Sequence, residues 1–195
     1  GFGSGLFQNS HPETRGPLRT ILCTIFDNPV QSPPPASYPG LGLCIFRQTN
    51  APSPSRLTFL CGPEREVFGV HMAHHHADRL SITLRYQGTP VFTDPGTHCY
   101  NGPLEERFAQ RRSHAHSGPS FGGFDHLDVS SLRFGVGEFP LRTVFQPSYL
   151  SRDSHSVTGG IQTGDGSTLR REVHVHWADG FICIIDRFRS STAKV

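Results

Sequence analysis

The sequence predicts an all-β chain folded as an antiparallel β-sandwich, and three observations predict it. The first is composition: 21 glycines and 16 prolines among 195 residues, with 17% charged residues, supply turns. Long helices need Ala, Leu, Glu and Lys instead, so a helical bundle is excluded. The second is that apolar residues come in short runs at intervals of roughly ten residues, the pattern of a sandwich or barrel. The third is that turn-forming residues stand between those runs. Hydrophobic content is only 35%, but 15 Phe, 4 Tyr and 1 Trp can fill the core of one modest domain, so whole-chain disorder is not expected.

Taken in order, residues 1–37 are a Gly/Pro-punctuated lead-in with one strand-like run at Thr20–Phe26, and Gln31–Pro39 reads as a linker or surface loop. The sandwich is expected over residues 38–195. Leu43–Phe46 and Leu57–Leu60 are short strands separated by a polar, Pro-containing turn. Leu80–Tyr86 alternates apolar and polar, Gln87-Gly88-Thr89 turns the chain, and Pro90–Thr93 returns, which makes a hairpin. Pro103–Arg112 is the one short helix. Strands follow at Val129–Phe134, Leu141–Phe145, Leu169–Trp177 and Phe181–Arg187, the last two joined by Ala178-Asp179-Gly180. Period two puts Arg171, Val173, Val175 and Trp177 on one face and Glu172, His174 and His176 on the other. No internal repeat is found.

Charge and cysteine usage narrow the function classes. Eighteen Lys+Arg against sixteen Asp+Glu leave +2, with no basic run, so nucleic acid is not an expected partner. Lys194 is the single lysine; the remaining cations are arginines, which suit carboxylate and sulfate ligands. No apolar run has membrane-spanning length, and Gly1–Ser10 has neither part of a signal peptide. The chain does not begin with Met and is expected to be a piece of a longer protein. Cys23, Cys44, Cys61, Cys99 and Cys183 form no CxxC pair, and several have the apolar neighbours of a small buried hydrophobe.

The 12 histidines are the compositional outlier, and they cluster. The densest segment is His71-Met-Ala-His74-His75-His76-Ala-Asp78. In an extended segment His74 and His76 project to one side and His75 to the other, a spacing that metal sites in β proteins use. Zinc then needs further N or O ligands. If the hairpin forms, Asp94 at its end returns beside the histidines; His114 and His116 are a third source, again two residues apart. The plain alternative is a solvated loop of histidines. His11, His126 and His155 are expected at the surface, and His174 and His176 as exposed or hydrogen-bonded structural residues.

Several blocks resemble one family. Tyr38-Pro-Gly-Leu-Gly-Leu-Cys-Ile-Phe-Arg47 resembles the opening strand "sG(x)xxxR", and Leu57-Thr-Phe-Leu-Cys-Gly-Pro63 the next. His74-His-His-Ala-Asp78-Arg-Leu-Ser81 is similar to "HxHAD-x-LS". Gly88-Thr-Pro-Val-Phe-Thr-Asp94-Pro-Gly-Thr97 with Tyr100 resembles "GxPxxxDPGTxxY", and Arg112-Ser-His-Ala-His116-Ser117 stands where "RSxxxHNT" is expected. Arg171-Glu-Val-His174 and Gly180-Phe-Ile-Cys-Ile-Ile-Asp186-Arg187 complete the set. Over roughly residues 38–190 these resemble the C-terminal β-sandwich domain of the heparinase II/III-like polysaccharide lyases, oligo-alginate lyases included.

The resemblance implies a supersandwich-like fold, incomplete at its C-terminus, and cleavage of uronic-acid-containing polysaccharide by β-elimination. It implies a structural zinc site at His76, Asp94 and His116. His74 matches a residue that faces the substrate carboxylate or takes part in proton transfer, and Arg112 and His75 are candidate substrate contacts. It implies an acidic polysaccharide as partner, a missing N-terminal α/α-toroid domain without which activity is weak or absent, and a periplasmic or extracellular location. Ser117 departs from the family's Asn and His75 from its small or polar residue, which leaves His114 as a rival to His116. Two other readings stand beside it: a non-catalytic domain that binds acidic carbohydrate, and a cupin-like metalloenzyme, which lacks the usual Glu and second motif.

Overall fold

The computed structural model describes residues 35–48, 51–62, 76–98, 100–120, 125, 142–149, 153–163 and 166–191. The expected strands at Thr20–Phe26 and Val129–Phe134 lie outside them, as do Cys23, Cys99, His11 and His126.

Among the described residues, nine antiparallel strands form two sheets. The first is a meander of β1 (Ala36–Tyr38), β2 (Leu43–Arg47), β3 (Arg56–Leu60), β4 (Ser81–Tyr86) and β5 (Thr89–Phe92), in that spatial order. The second is a meander of β6 (Arg142–Tyr149), β7 (Ser154–Gln162), β8 (Thr168–His176) and β9 (Phe181–Arg189). Helix α1 (Leu104–Arg111) is the short helix the sequence predicts, with Glu105 and Glu106 in its first turn, where carboxylates suit the helix dipole.

Alternation builds the core. Cys44 and Phe46 of β2, Leu57 and Phe59 of β3, and Ile82 and Leu84 of β4 turn inward. They meet Val157 and Ile161 of β7 and Leu169, Val173 and Val175 of β8. Phe59 stacks on Phe145 across the sheets, with centroids 6.5 Å apart. The Cys61 thiol donates to the Val144 carbonyl at 3.3 Å. Burial pushes the Cys44 thiol up to about 12 and the Cys61 thiol up to about 11. Both are therefore inert small hydrophobes, as their apolar neighbours suggest. Trp177 is buried with Arg171, Val173 and Val175, while His174 and His176 face outward beside Glu172 and Asp179.

Two expectations are corrected. Ala36–Tyr38, read as part of a linker, is an edge strand paired with β2. His155, expected at the surface, is 2% exposed and stacks on Phe46 with centroids 5.0 Å apart. It lies on β7, a strand that Ser, Thr and paired glycines conceal in the sequence. Its inner face is His155, Val157, Gly159 and Ile161.

Candidate functional site

Three segments meet at the end of the first sheet where β4 begins: the turn His76–Leu80, the exit from β5 at Asp94–Thr97, and the turn Ser113–Ser117 after α1. Local chemistry fixes each. The Ala77 N–H donates to the Arg111 carbonyl at 2.7 Å, tying the first turn to the end of α1. Leu80 then adopts φ 61°, a left-handed conformation that a branched side chain resists. Complete burial of its side chain holds it there, and its carbonyl accepts from Arg171 Nη1 at 2.9 Å. In the second segment Asp94 Oδ1 accepts the Gly96 N–H at 2.8 Å, and Gly96 takes φ 58°. That is an Asx turn closed by a residue free to adopt a positive φ. In the third, Ser117 O accepts from Arg171 Nη1 at 2.5 Å and from the Ile82 N–H at 3.4 Å.

The side chains form a linear hydrogen-bonded series. His116 Nδ1 donates to Asp94 Oδ2 at 2.7 Å, and His116 Nε2 stands 3.3 Å from His76 Nδ1. His76 Nε2 in turn lies 3.0 Å from Thr97 Oγ1. The His116 side chain has no exposed surface, whereas Asp94 is 37% exposed. The hydrogen bond from His116 holds the Asp94 carboxyl below its usual value, against the effect of burial. Asp78 is shifted the other way: desolvation raises it, although His116 lies close enough to oppose the rise.

A carboxylate only accepts, so His116 carries a proton on Nδ1, and in the neutral imidazole Nε2 then presents a lone pair. When His76 donates Nε2–H to Thr97, its Nδ1 also presents a lone pair toward His116. Two facing lone pairs require a proton or a cation between them. Two nitrogens on one tetrahedral zinc stand about 3.3 Å apart, because each bond is about 2.0–2.1 Å. The His76–His116 pair therefore fits zinc in donor type and spacing. Asp94 sits on the far nitrogen of His116, the arrangement in which a carboxylate orients a metal-bound imidazole. Among the described residues, no three His, Cys, Asp or Glu side chains are disposed as a ready ligand set.

His76, Asp94 and His116, separate in sequence, are thus brought together, and His116 rather than the exposed His114 is the one beside them. Arg112 lies on the same turn, but its Nε donates to Asp125 Oδ2 at 2.8 Å. Asp125 Oδ1 also accepts from the Ser113 N–H at 2.7 Å and Ser113 Oγ at 2.8 Å. His74 and His75 lie outside the described residues. Sequence reasoning gave no role to Thr97, Asp78 or Asp125. Thr97 and Asp78 stand inside the DPGT and HxHAD blocks, which was the available signal, whereas Asp125 has no motif around it.

The family model described as "Heparinase II/III-like, C-terminal" matches residues 30–194. The chain belongs to this family. Among solved structures, the heparinase II/III-like domain is similar to "Heparinase III-BT4657 gene product". The TM-score is 0.65 and the identity 17%, over 89% of this chain and 25% of that one. Similarity is lower to "Crystal Structure of Heparinase III" (TM-score 0.45, 11% identity, 80% of this chain and 27% of that one). It is also lower to heparan sulfate lyase HepC from Pedobacter heparinus (TM-score 0.44, 12% identity, 86% and 28%). The domain thus spans about a quarter of the length of the solved chains it matches. No curated protein sequence matches it.

Proposed function

We propose that this domain is the sandwich part of a polysaccharide lyase that cleaves uronic-acid-containing polysaccharide by β-elimination, with His76, Asp94 and His116 holding a structural zinc ion. The observation that supports this reading is the His76–His116–Asp94 series, which begins at the second histidine of the HxH pair in a heparinase II/III-like chain. Its donors, two imidazole nitrogens facing each other with a carboxylate on the far nitrogen of one of them, suit zinc and the group that orients its ligand.

In β-elimination a base removes the proton beside the uronate carboxylate. The freed electron pair forms the C4–C5 double bond, the bond from C4 to the glycosidic oxygen breaks, and that oxygen gains a proton. The step needs the carboxylate charge neutralised and a base or acid held within hydrogen-bond reach. His74, two residues before His76, is proposed to face the carboxylate or take part in proton transfer. Arg112 and His75 are proposed to hold acidic groups of the substrate. Asp125 braces Arg112 through Nε, which leaves its other nitrogens for a ligand. A bound zinc ion would supply a fixed cross-link among the segments carrying His76, Asp94 and His116. The rest of the cleft, a catalytic Tyr included, is proposed to come from an N-terminal α/α-toroid domain. A polymeric substrate places the protein in the periplasm or outside the cell. Among the described residues, no helix is long and apolar enough to cross a membrane.

The test is metal content and elimination activity, the latter followed by ultraviolet absorbance of the unsaturated uronate in protein that carries this domain together with its N-terminal part. The parent is expected to hold about one zinc ion per chain, lost in His76→Ala, Asp94→Ala and His116→Ala. His74→Ala is expected to keep the metal and lose elimination. A metal-free parent, with the three variants as stable as it is, would overturn the zinc centre. Full elimination activity in His74→Ala would overturn the role of that residue.

A further inference from the structure

One motif residue has no part in the histidine cluster. Arg47 closes the opening block, and the strand register puts it directly opposite Arg56 of β3, which is in turn opposite Arg85 of β4. Cys44 and Phe46, Leu57 and Phe59, and Ile82 and Leu84 point into the core. The three arginines alternate with these and stand in one row across the outer face of the first sheet. Adjacent strands are about 4.8 Å apart, so the row is about 10 Å long. Like charges directly opposite on neighbouring strands repel, and the Arg56–Arg85 pair has no rationale in sheet stability.

Other arginines of the chain meet carboxylates: Arg112 with Asp125, Arg171 with Asp186, and both Arg170 and Arg187 with Glu172. Among the described residues, no carboxylate lies within ion-pair distance of Arg56 or Arg85, and none lines the space around them. That space is a cavity of about 520 Å³ between the Pro52–Ser55 segment and the β4–β5 turn at Gly88. Its volume lies in the range of small-molecule sites, about 300–1,000 Å³. Its wall is built. Ser55 is fully buried; its hydroxyl accepts the Gln87 N–H at 3.0 Å and its carbonyl the Gln48 N–H at 2.9 Å. A register shift between Leu84 and Arg85 adds local twist at Arg85, one residue before β4 ends.

We propose that Arg56 and Arg85, with Arg47 lining the same cavity, form an anion subsite for sulfate or carboxylate groups of an acidic glycan chain, separate from the histidine cluster. The planar guanidinium fork pairs bidentately with such groups. Two guanidinium groups on neighbouring strands engage more than one anionic group at once and so favour an oligosaccharide over a single ion. Among the described residues no aromatic side chain lines the cavity, so they offer no stacking platform for nucleic-acid bases. The subsite lies at the far end of β4 from the histidine cluster. Ser81 begins that strand and Arg85 is about 13 Å along it. A contact so far from the reacting bond holds substrate and transition state alike, and therefore acts on KM. The choice of glycan as ligand rests on the function proposed above; the anion site itself does not.

The experiment is calorimetric titration of the purified chain with a heparin-derived tetrasaccharide, inorganic sulfate and a single-stranded oligonucleotide. The parent is compared with Arg56→Gln, Arg85→Gln and Arg56→Lys. The expected result is tetrasaccharide binding that weakens at least about 10-fold in each Gln variant and less in Arg56→Lys, since one charged contact contributes about 1.5–3 kcal/mol. Thermal unfolding of the variants should match the parent, because both arginines are exposed. Undiminished tetrasaccharide binding in the Gln variants would overturn the proposal. So would inorganic sulfate binding as tightly as the tetrasaccharide, or preference for the oligonucleotide. His116→Ala, titrated in parallel, separates the two readings. Retained glycan binding in that variant, with metal lost or never present, upholds the subsite whatever becomes of the zinc centre.

Discussion

His116 and His114 are two residues apart in one short turn, yet one is sealed beneath the Asp94 carboxylate and the other is exposed. Spacing alone could not choose between them, because the turn is a single 3-10 step whose facing depends on where Arg171 catches Ser117. His155 shows the same limit: an imidazole reads as polar, but stacked on Phe46 it serves as a flat core side chain. Asp125 was invisible for a different reason, since nothing near it in sequence needs a carboxylate; its partners, Arg112 and Ser113, lie 13 and 12 residues away. Burial raises the Asp125 carboxyl, but hydrogen bonds from the Ser113 N–H and hydroxyl, together with Arg112, outweigh it and leave it below the usual value. A carboxyl held down by folding contributes stability that is complete above its unfolded value, near pH 4, and is lost as pH falls through its folded value. Asp125→Asn should therefore destabilise the domain by about 1 kcal/mol at neutral pH. It should also flatten the acid limb of a plot of urea midpoint against pH; an unchanged acid limb would refute the assignment.

At the scale of elements, strands with a bulky apolar alternation were legible and strands without one were not. Leu80–Tyr86 and Leu169–Trp177 announce themselves through large apolar residues at most alternate positions, Arg171 apart. Strand β7 does not, because its inner face spends one position on Gly159. The reason is spatial: a Cβ there would lie 2.5 Å from Phe59 Cζ and 2.8 Å from Leu80 Cδ2. Gly159→Val should destabilise the domain by at least about 2 kcal/mol through overpacking, measured as a shift in urea midpoint. It should disturb the histidine cluster too, because Leu80 lies in the turn that carries His76. Strand β8 makes the complementary tie. Arg171 forms a two-pronged pair with Asp186 of β9, at 2.7 Å for each bond, while Nη1 reaches the Leu80 and Ser117 carbonyls. Through Arg171 the second sheet grips both turns that hold the candidate site. Arg171→Met should cost about 3 kcal/mol by leaving buried acceptors unpartnered. Hydrogen exchange should speed up at the Ile82 amide, which bonds Ser117, more than at the middle of β3; uniform acceleration would mean the tie is global.

Over the whole molecule, two meanders packed face to face need only local turns and period-two patterning, so the sandwich was legible from composition and alternation. The site was legible in part for the same reason: a hairpin of known length returns its last residue to the start of its first strand, which is how Asp94 arrives beside the HxHAD segment. What spacing could not supply was the order of contacts, because Asp94 to His116 to His76 to Thr97 depends on how α1 and its following turn pack. That order bears on stability. The three segments are joined by few backbone bonds of their own, and a cation between His76 and His116 would bind the folded chain alone. Binding of that kind adds about 4 kcal/mol when the free ligand stands a thousandfold above its Kd. For a domain of this size each kcal/mol moves the unfolding midpoint by about 2–4 °C. Removing the metal with a strong chelator should therefore lower the midpoint of the parent by about 10 °C, and readdition of zinc should restore it. His116→Ala should unfold at the chelated midpoint or below and respond to neither treatment. Equal chelator sensitivity in parent and variant would place any bound metal elsewhere, and the His76–His116 pair would then be held by a shared proton.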